Sequence, residues 1–410
     1  MHAVIIGPFS SGMLYFAAAK KMGMTTSAIT VENENYAIPD HVRADIDNLI
    51  IINHLDIDTI VGAVSRLNKD HPIDCLLAGD EFLVEHTAHA SYVIGLAGMN
   101  PRDASVVRNK SLMRKRLHEA HIRIPRFEKA TTALDLEHIS KNVGFPAVIK
   151  PLQMAGSIGV ARVDNPVELL AAYEDIINDT EGGWGVELGT EALVEELLVG
   201  TEYCVDGYVT KDGAITVFEF VKIELGAQPH FQEIGYTAYN PEDLPESEVM
   251  TTYIKEVVTA CGIIAGPFHS EVMLTKDGPV LIEIANRLPG DYVPQLVERA
   301  TGISFAACAL AAAAGIKVPE PETRVAKVTA SQYIIAPTLI GETYQKLTGW
   351  EEILQHPLVD NAVLEIKPGE MIPGHVDARS RVAEIEFHAD TSDGIEKMRR
   401  YIIETVHAIN

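Results

Sequence analysis

Two glutamates, an arginine and a lysine carry the chemistry that residue type and spacing suggest. Glu271 and Glu283 lie on two apolar runs, Phe268 to Leu274 and Val280 to Ile284, around Lys276-Asp277-Gly278-Pro279, a good hairpin turn. They flank that turn almost symmetrically. With both side chains on one face they form a pair of hard oxygen donors suited to Mg²⁺, which binds through one or two carboxylates together with substrate phosphates. Arg287, four residues beyond Glu283, is placed to clamp a phosphate or carboxylate with its planar fork. Upstream, Phe145 to Val163 (FPAVIKPLQMAGSIGVARV) reads as a strand, Ala147 to Ile149, ending in Lys150. A small-residue loop from Gln153 to Gly159 follows, then a second strand, Val160 to Val163. With no bulky side chain near its glycines, the loop backbone can approach an anion closely, and a lysine leaving the strand is placed to meet phosphate oxygens. Each feature also has a plain reading: solvated glutamates on strands, and a hairpin with a surface lysine.

The elements that must position these residues alternate between strand and helix. His2 to Ile6, the glycine turn Gly7 to Gly12 and an apolar-periodic segment to Met22 read as strand, turn and helix, with Thr26 to Val31 as the next strand. The turn lacks G-x-G-x-x-G spacing, which leaves α/β packing as its reading over a dinucleotide site. Asp58 to Leu67 reads as a helix and Cys75 to Ala78 as a strand ending in Gly79-Asp80-Glu81. Carboxylates at the carboxyl end of a parallel strand stand where open α/β sheets bind ligands, so Asp80 or Glu81 could face a substrate; acids at a helix N-terminus look the same. Lys110 to Ala120 and Val167 to Asn178 read as helices, the second announced by Asn165-Pro166. Glu181 to Gly185 reads as a turn. Ala192 to Glu202 is expected to run on into Tyr203 to Val209 as one strand. Ile215 to Phe220 is a further strand, and helices follow at Glu246 to Cys261, Pro294 to Thr301 and the alanine-rich Ile303 to Ile316. Beyond the connector Val318-Pro319-Glu320-Pro321, strands are expected near Val325 to Ile335, Val359 to Ile366 and Arg381 to His388.

Composition bounds the function. The 410 residues exceed one ordinary core, and a 47% apolar, 22% charged composition is that of a globular protein. A net charge of −25 argues against nucleic acid as partner, while leaving room for a local basic cluster around an anionic substrate. Cys75, Cys204, Cys261 and Cys308 show no C-x-x-C spacing and read as buried thiols of a reducing compartment. The N-terminus has no basic residue before Lys20, and the run Ile303 to Ile316 is short for a membrane span, so a cytoplasmic protein without a membrane partner is expected.

The order Lys110, FPAVIKP with its glycine-serine loop, VEELLVGTE, then HSEV and VLIEIANR, resembles the ATP-grasp superfamily over roughly residues 105 to 310. Within it, Pro229 to Tyr236 and the run Arg287 to Asp291 with Ala300-Thr301-Gly302 are similar to the carboxylate–amine ligases of the bacilysin-synthetase type, which join amino acids. The resemblance implies an α/β (α+β) chain in four parts. A Rossmann-like pre-ATP-grasp domain spans 1–105, a small lid subdomain 106–197, a central subdomain 198–320 and a C-terminal α/β subdomain 321–410. It implies ATP and Mg²⁺ as cofactors, with Mn²⁺ as a second acceptable ion, and a small acid and an amino acid as substrates; a homodimer through the N-terminal unit is compatible with it. Lys110, Lys150, Gly156, Ser157 and Gly159 would meet the ATP phosphates. Glu195, Glu196 and Leu198 would form the adenine-binding hinge and Glu202 would hold the ribose. Glu271 and Glu283 would hold the metal, Arg287 would steady an acyl-phosphate, and Glu233 would lie near the substrate amine. His230 stands beside Glu233 on a segment expected to face the site, and Asp80, Glu81 and Asp291 are candidates to line the substrate pocket. One departure is plain: where many members carry Asn two residues past the second metal glutamate, this chain has Ala285, and Asn286 next door would point to the opposite face of a regular strand.

Other readings are a ligase or carboxylase of nucleotide biosynthesis, which would want more basic residues for a ribose phosphate than the N-terminal unit has, and a non-catalytic nucleotide-binding protein on the same fold. The lysines, both glutamates and Arg287 speak against the second. A dehydrogenase fails on the missing fingerprint.

Overall fold

The computed structural model describes residues 1–33, 36–179, 189–324 and 326–410. The expected turn at Glu181 to Gly185 lies outside the described residues, as does Val325, the expected start of a strand.

Four parallel strands open the chain: β1 (His2–Ile6), β2 (Thr25–Thr30), β3 (Asn48–Ile51) and β4 (Cys75–Ala78), in the order β3-β2-β1-β4. Strand β1 is buried along its whole length, as a strand covered by helices on both faces must be. The loops leaving β1 and β4 touch: a Cβ on Gly12 would stand 2.1 Å from the Gly79 carbonyl oxygen, and one on Gly79 would stand 2.4 Å from that of Gly7. Glycine at both places lets these two loops form one continuous wall at the carboxyl edge of the sheet.

A small antiparallel sheet follows, β5 (Phe127–Ala130), β6 (Ala147–Pro151), β7 (Ala161–Val163) and β8 (Ala192–Glu196), in the order β5-β8-β6-β7. Its helix Pro166–Asn178 begins where the Asn165 side chain accepts the N–H groups of Val167 and Glu168, at 3.0 and 3.1 Å. The helix Lys110–Glu119, expected to belong to the lid, instead buries Met113 and Leu117 in the core of the central sheet beside Val205, Phe220 and Ile284.

The rest is one eight-stranded antiparallel sheet with a two-stranded appendage. Its strands are β9 (Gly200–Val209), β10 (Ile215–Leu225), β11 (Glu233–Tyr239), β12 (Gly266–Thr275), β13 (Gly278–Ala285) and β14 (Val328–Ile335). After β15 (Lys346–Thr348) come β16 (Val359–Leu364), β17 (Arg381–Ala389) and β18 (His407–Ile409). The large sheet has the order β13-β12-β9-β10-β11-β14-β17-β16, and β15 pairs with β18. The β11–β14 pairing carries the sheet straight past residue 320, where a domain boundary is expected from sequence. The expected single strand from Ala192 to Val209 is two strands in two sheets, broken at Leu197 to Val199; Val199 is 78% exposed at the crossing from lid to body. Glu233–Tyr239, unassigned from sequence, is strand β11, hydrogen-bonded to β10 on one side and β14 on the other.

The helix Phe305–Ala314 is buried at all ten positions. Its small side chains share one core with Ala3, Ile5, Tyr15 and Phe16 of the N-terminal unit and with Phe218, Val221 and Ile223 of β10. This alanine-rich wedge presses the N-terminal unit onto the central sheet, so the carboxyl edge of β1 and β4 faces β12 and β13. All four cysteines are free and buried. Among the described residues no single helix is long and apolar enough to cross a membrane.

Candidate active site

The metal-type carboxylates owe their meeting to a β-bulge. Along β12 and β13 the ladder pairs Thr275 with Gly278, Leu274 with Pro279, Met273 with Val280 and Val272 with Leu281; it then slips by one residue, so that Glu271 pairs with Glu283 and Ile282 has no partner. An unbroken ladder would set Glu271 opposite Ile282 and turn Glu283 to the other face. Burial first and the Glu283 charge second push Glu271 up to about 7. Burial also presses on Glu283, but Lys110, whose Nζ lies 2.7 Å from Glu283 Oε2, holds that carboxyl below its usual range.

Two clefts meet at this pair. Both are bounded by Gly156, Glu233, Glu271 and Glu283. The first runs between lid and body, past Lys110, Lys150, Ser157, Glu195, Glu196, Leu197, Leu198 and Glu202. In the loop between β6 and β7, Gly156, Ser157 and Gly159 all have left-handed backbones, with φ of 65°, 56° and 72°. Such a run of turns aims backbone N–H groups inward, the arrangement that cradles anions. Lys110 also donates to the Met154 carbonyl (2.8 Å), tying the base of the loop to the body. Lys150 Nζ stands 2.6 Å from Glu195 Oε2. Glu195 is further held by Arg114 through Nε (2.5 Å) and Nη2 (3.2 Å), and Arg114 Nη2 donates as well to the carbonyl of the bulged Ile282 (3.0 Å). Burial opposes the Glu195 charge, but Arg114 and then Lys150 outweigh it and hold the carboxyl at about 2. Glu195 thus spends its side chain beneath the cleft floor and its backbone in the ladder between β5 and β6; Leu197 and Leu198 make the accessible crossing. Glu202, opposite Met273 in the β9–β12 ladder, is raised well above the ordinary carboxyl range, by burial first and then by the charges of Glu271 and Glu233.

The second cleft lies between the wall Phe9–Gly12 and Gly79–Phe82 of the N-terminal unit and the segment Arg287–Asp291. Glu81 is bound by Arg108 and, at 2.7 Å, by Arg287 Nε. These two guanidinium groups, Arg108 the stronger, overcome burial and hold Glu81 at about 2. Glu81 is therefore an anchor that orients Arg287, whose Nη1 also donates to the Leu288 carbonyl (2.8 Å). Burial pushes Asp80 up to about 6; it accepts hydrogen bonds from the Tyr36 hydroxyl (2.5 Å) and the Leu83 N–H (3.0 Å). Glu233 and Asp291 are joined through Tyr236 and Arg381. The Tyr236 hydroxyl contacts both carboxylates, 2.8 Å from Asp291 Oδ2, and Arg381 reaches Asp291 at 2.9 Å and Glu233 at 3.2 Å while lying 3.9 Å over the Tyr333 ring.

His230 is the departure from expectation. It bridges to Ala161 of the lid and lines a separate cleft with Gly159, Asp377 and Arg379, away from the carboxylate pair. Pairing Glu233–Tyr239 with β10 turns Glu233 inward and leaves His230, just ahead of the strand, at the lid edge. Asn286 is also diverted: its Nδ2 donates to the carbonyls of Ala265 (3.3 Å) and Pro267 (2.6 Å). Sequence reasoning missed Arg108, Arg114, Tyr236, Arg381 and His269. Arg381 comes from β17, more than ninety residues beyond Arg287, and no local signal marks it; His269, one strand repeat before Glu271, was within reach of a period-two reading.

The donor set fits a divalent cation: one ligand atom each from His269, Glu271 and Glu283 lie within 4.8 Å of one another.

Residues 143–295 match the model of the ATP-grasp domain. Among curated proteins, the chain is 24% identical to the uncharacterized protein y4rH of Sinorhizobium fredii over 97% of this chain and 80% of that one. It is 28% identical to dapdiamide A synthase of Enterobacter agglomerans (62% of this chain, 59% of that one) and 22% identical to the alanine–anticapsin ligase of Bacillus subtilis (61% and 56%). The chain thus spans little more than half the length of the latter two. The L-amino acid ligase of Bacillus licheniformis superposes with a TM-score of 0.80 at 22% identity, covering 100% of this chain and 98% of that one. The N5-carboxyaminoimidazole ribonucleotide synthetase of Thermotoga maritima superposes at 0.71 with 18% identity, covering 100% and 99%.

Proposed function

Starting from a chain that carries an ATP-grasp domain within the ATP-grasp ligase fold, we propose that it is an ATP-dependent ligase joining a carboxylate, an amino acid or acyl-amino acid, to the amine of an amino acid. The observation that carries this reading is the meeting of two clefts on Glu271 and Glu283, one lined by lysines and an anion-type loop, the other by Arg287 and acids.

In the first cleft Leu197 and Leu198 flank the adenine, Glu202 takes the ribose, and Lys110, Lys150 and the Gly156–Gly159 backbone hold the phosphates. Glu271 and Glu283 would hold Mg²⁺, which when bound would supply neutralisation of phosphate charge. A carboxylate oxygen of the acid attacks the γ-phosphorus and ADP leaves, giving an acyl-phosphate. The amine of the second substrate attacks the acyl carbon; the C–O bond to phosphate breaks, the amide forms, and the amine's proton passes to the departing phosphate. Arg287, held in place by Glu81, faces the acyl-phosphate. Glu233, whose carboxyl burial raises above its usual range, lies near where the attacking amine would arrive. Little covalent chemistry falls to the protein; positioning, charge neutralisation and exclusion of water from the mixed anhydride do the catalysis.

The test is phosphate release from ATP and Mg²⁺ across amino acids and acyl-amino acids, singly and in pairs, with mass spectrometry of products. Release with particular pairs and a new amide mass is expected. Release with a phosphoribosyl amine and a small acid or bicarbonate instead would favour a ligase of nucleotide biosynthesis, the reading that the likeness to the Thermotoga synthetase keeps in view. Against it, the second cleft is rich in acids, with Asp80, Glu81, Glu233 and Asp291 set against Arg287.

A further inference from the structure

We propose that His269 is the third protein ligand of the divalent cation held by Glu271 and Glu283, taking the place left open by Ala285. The inference rests on the ATP-dependent reading above. His269 and Ala285 are direct register partners on β12 and β13, so the imidazole stands on the face, and at the level, from which residue 285 would have reached the ion.

The ring is aimed and held for this. Its Nδ1 lies 2.9 Å from Asp206 Oδ2, and Asp206 Oδ1 accepts the Ser270 N–H at 2.7 Å, so a fully buried carboxylate fixes the ring from behind. A carboxylate behind a histidine is how proteins orient imidazole ligands and leave the other nitrogen for the metal. Nε2 faces the second cleft, 3.7 Å from Glu271 Oε1. That separation is too long for a hydrogen bond. It approaches the ~3.0–3.6 Å edge between two donors that share one ion at about 2.1 Å. The other grouping within reach, Cys204–Asp206–His269, is fully buried and has Nδ1 engaged by Asp206.

An imidazole beside two carboxylates shifts preference from Mg²⁺ toward Mn²⁺ and later divalent ions, which accept nitrogen more readily. The consequence is a metal selectivity unlike that of an all-oxygen site.

Pulsed EPR on the full-length enzyme, with every histidine ¹⁵N-labelled and loaded with Mn²⁺ and ATP, tests this. Expected are a ³¹P coupling from ATP phosphates and a ¹⁵N coupling of the size given by a directly bound imidazole. His269→Gln should lose the ¹⁵N coupling, keep the ³¹P coupling and bind Mn²⁺ at least tenfold more weakly. A ³¹P coupling with no ¹⁵N coupling in the unsubstituted enzyme overturns the ligand assignment alone, whatever the variant does. Neither coupling overturns the ATP·metal reading and the ligand assignment with it.

Discussion

Glu271 and Glu283 face each other because Ile282 drops out of the ladder between their strands, and the carbonyl of that bulged residue is held by Arg114, 3.0 Å away. The same Arg114 clamps Glu195, which in turn receives Lys150. One buried guanidinium therefore links the paired carboxylates in the body to Lys150 in the lid.

Glu271→Gln and Glu283→Gln should each retain the fold, read by circular dichroism, and lose Mg²⁺-dependent turnover by at least about 10²-fold, the scale of removing one preorganised electrostatic group. Without metal, Glu271→Gln should melt higher than the parent, because it deletes a buried charge that faces Glu283. Full activity in both variants would end the metal assignment.

Acid stability should report on Glu195. Its carboxyl titrates near 4.5 when unfolded and at about 2 in the fold, so the unfolded chain binds more protons between those values. Stability is fully present above about pH 4.5 and is lost as pH falls toward 2, by on the order of 3 kcal/mol from this group. Glu195→Gln should flatten that acid limb of a denaturant-melt series. It should also destabilise the enzyme at neutral pH by about 3–5 kcal/mol, since Arg114 and Lys150 would be buried without an anion. An unchanged acid limb would mean that other carboxylates control it.

Arg381 should matter as much as any residue near Arg287. Arg381→Ala leaves Glu233 and Asp291 buried without their cation and should cost about 3–5 kcal/mol in urea unfolding. Adding Glu233→Gln should recover part of that loss. Additive losses in the double variant would show that the pair is uncoupled.

Lys150→Ala and Arg287→Ala should separate binding from chemistry. The first should weaken ATP binding by calorimetry; the second should leave ATP affinity near the parent value and lower kcat. The reverse pattern would move Arg287 to the nucleotide side. Glu81→Gln, which loosens Arg287 without removing it, should fall between parent and Arg287→Ala in kcat.

The chain alone determined the pieces whose signals are local. Period-two and helical patterns place the hairpin that carries Glu271 and Glu283, the strand ending in Lys150, and the helix capped by Asn165. The glycine-serine loop and Lys150 can be located within a dozen consecutive residues. What only the tertiary structure decided depends on contacts between distant segments. A one-residue slip in a ladder is invisible in composition, yet it turns Glu283 toward Glu271. The break at Leu197 to Val199 appears only when the flanking strands join different sheets, and β11 is a strand because β10 and β14 pair with it. Asp206 behind His269, Arg381 between Glu233 and Asp291, and Glu81 as the anchor of Arg287 each join residues far apart in the chain. Burial gives those ion pairs their strength, and burial is a property of the assembled fold.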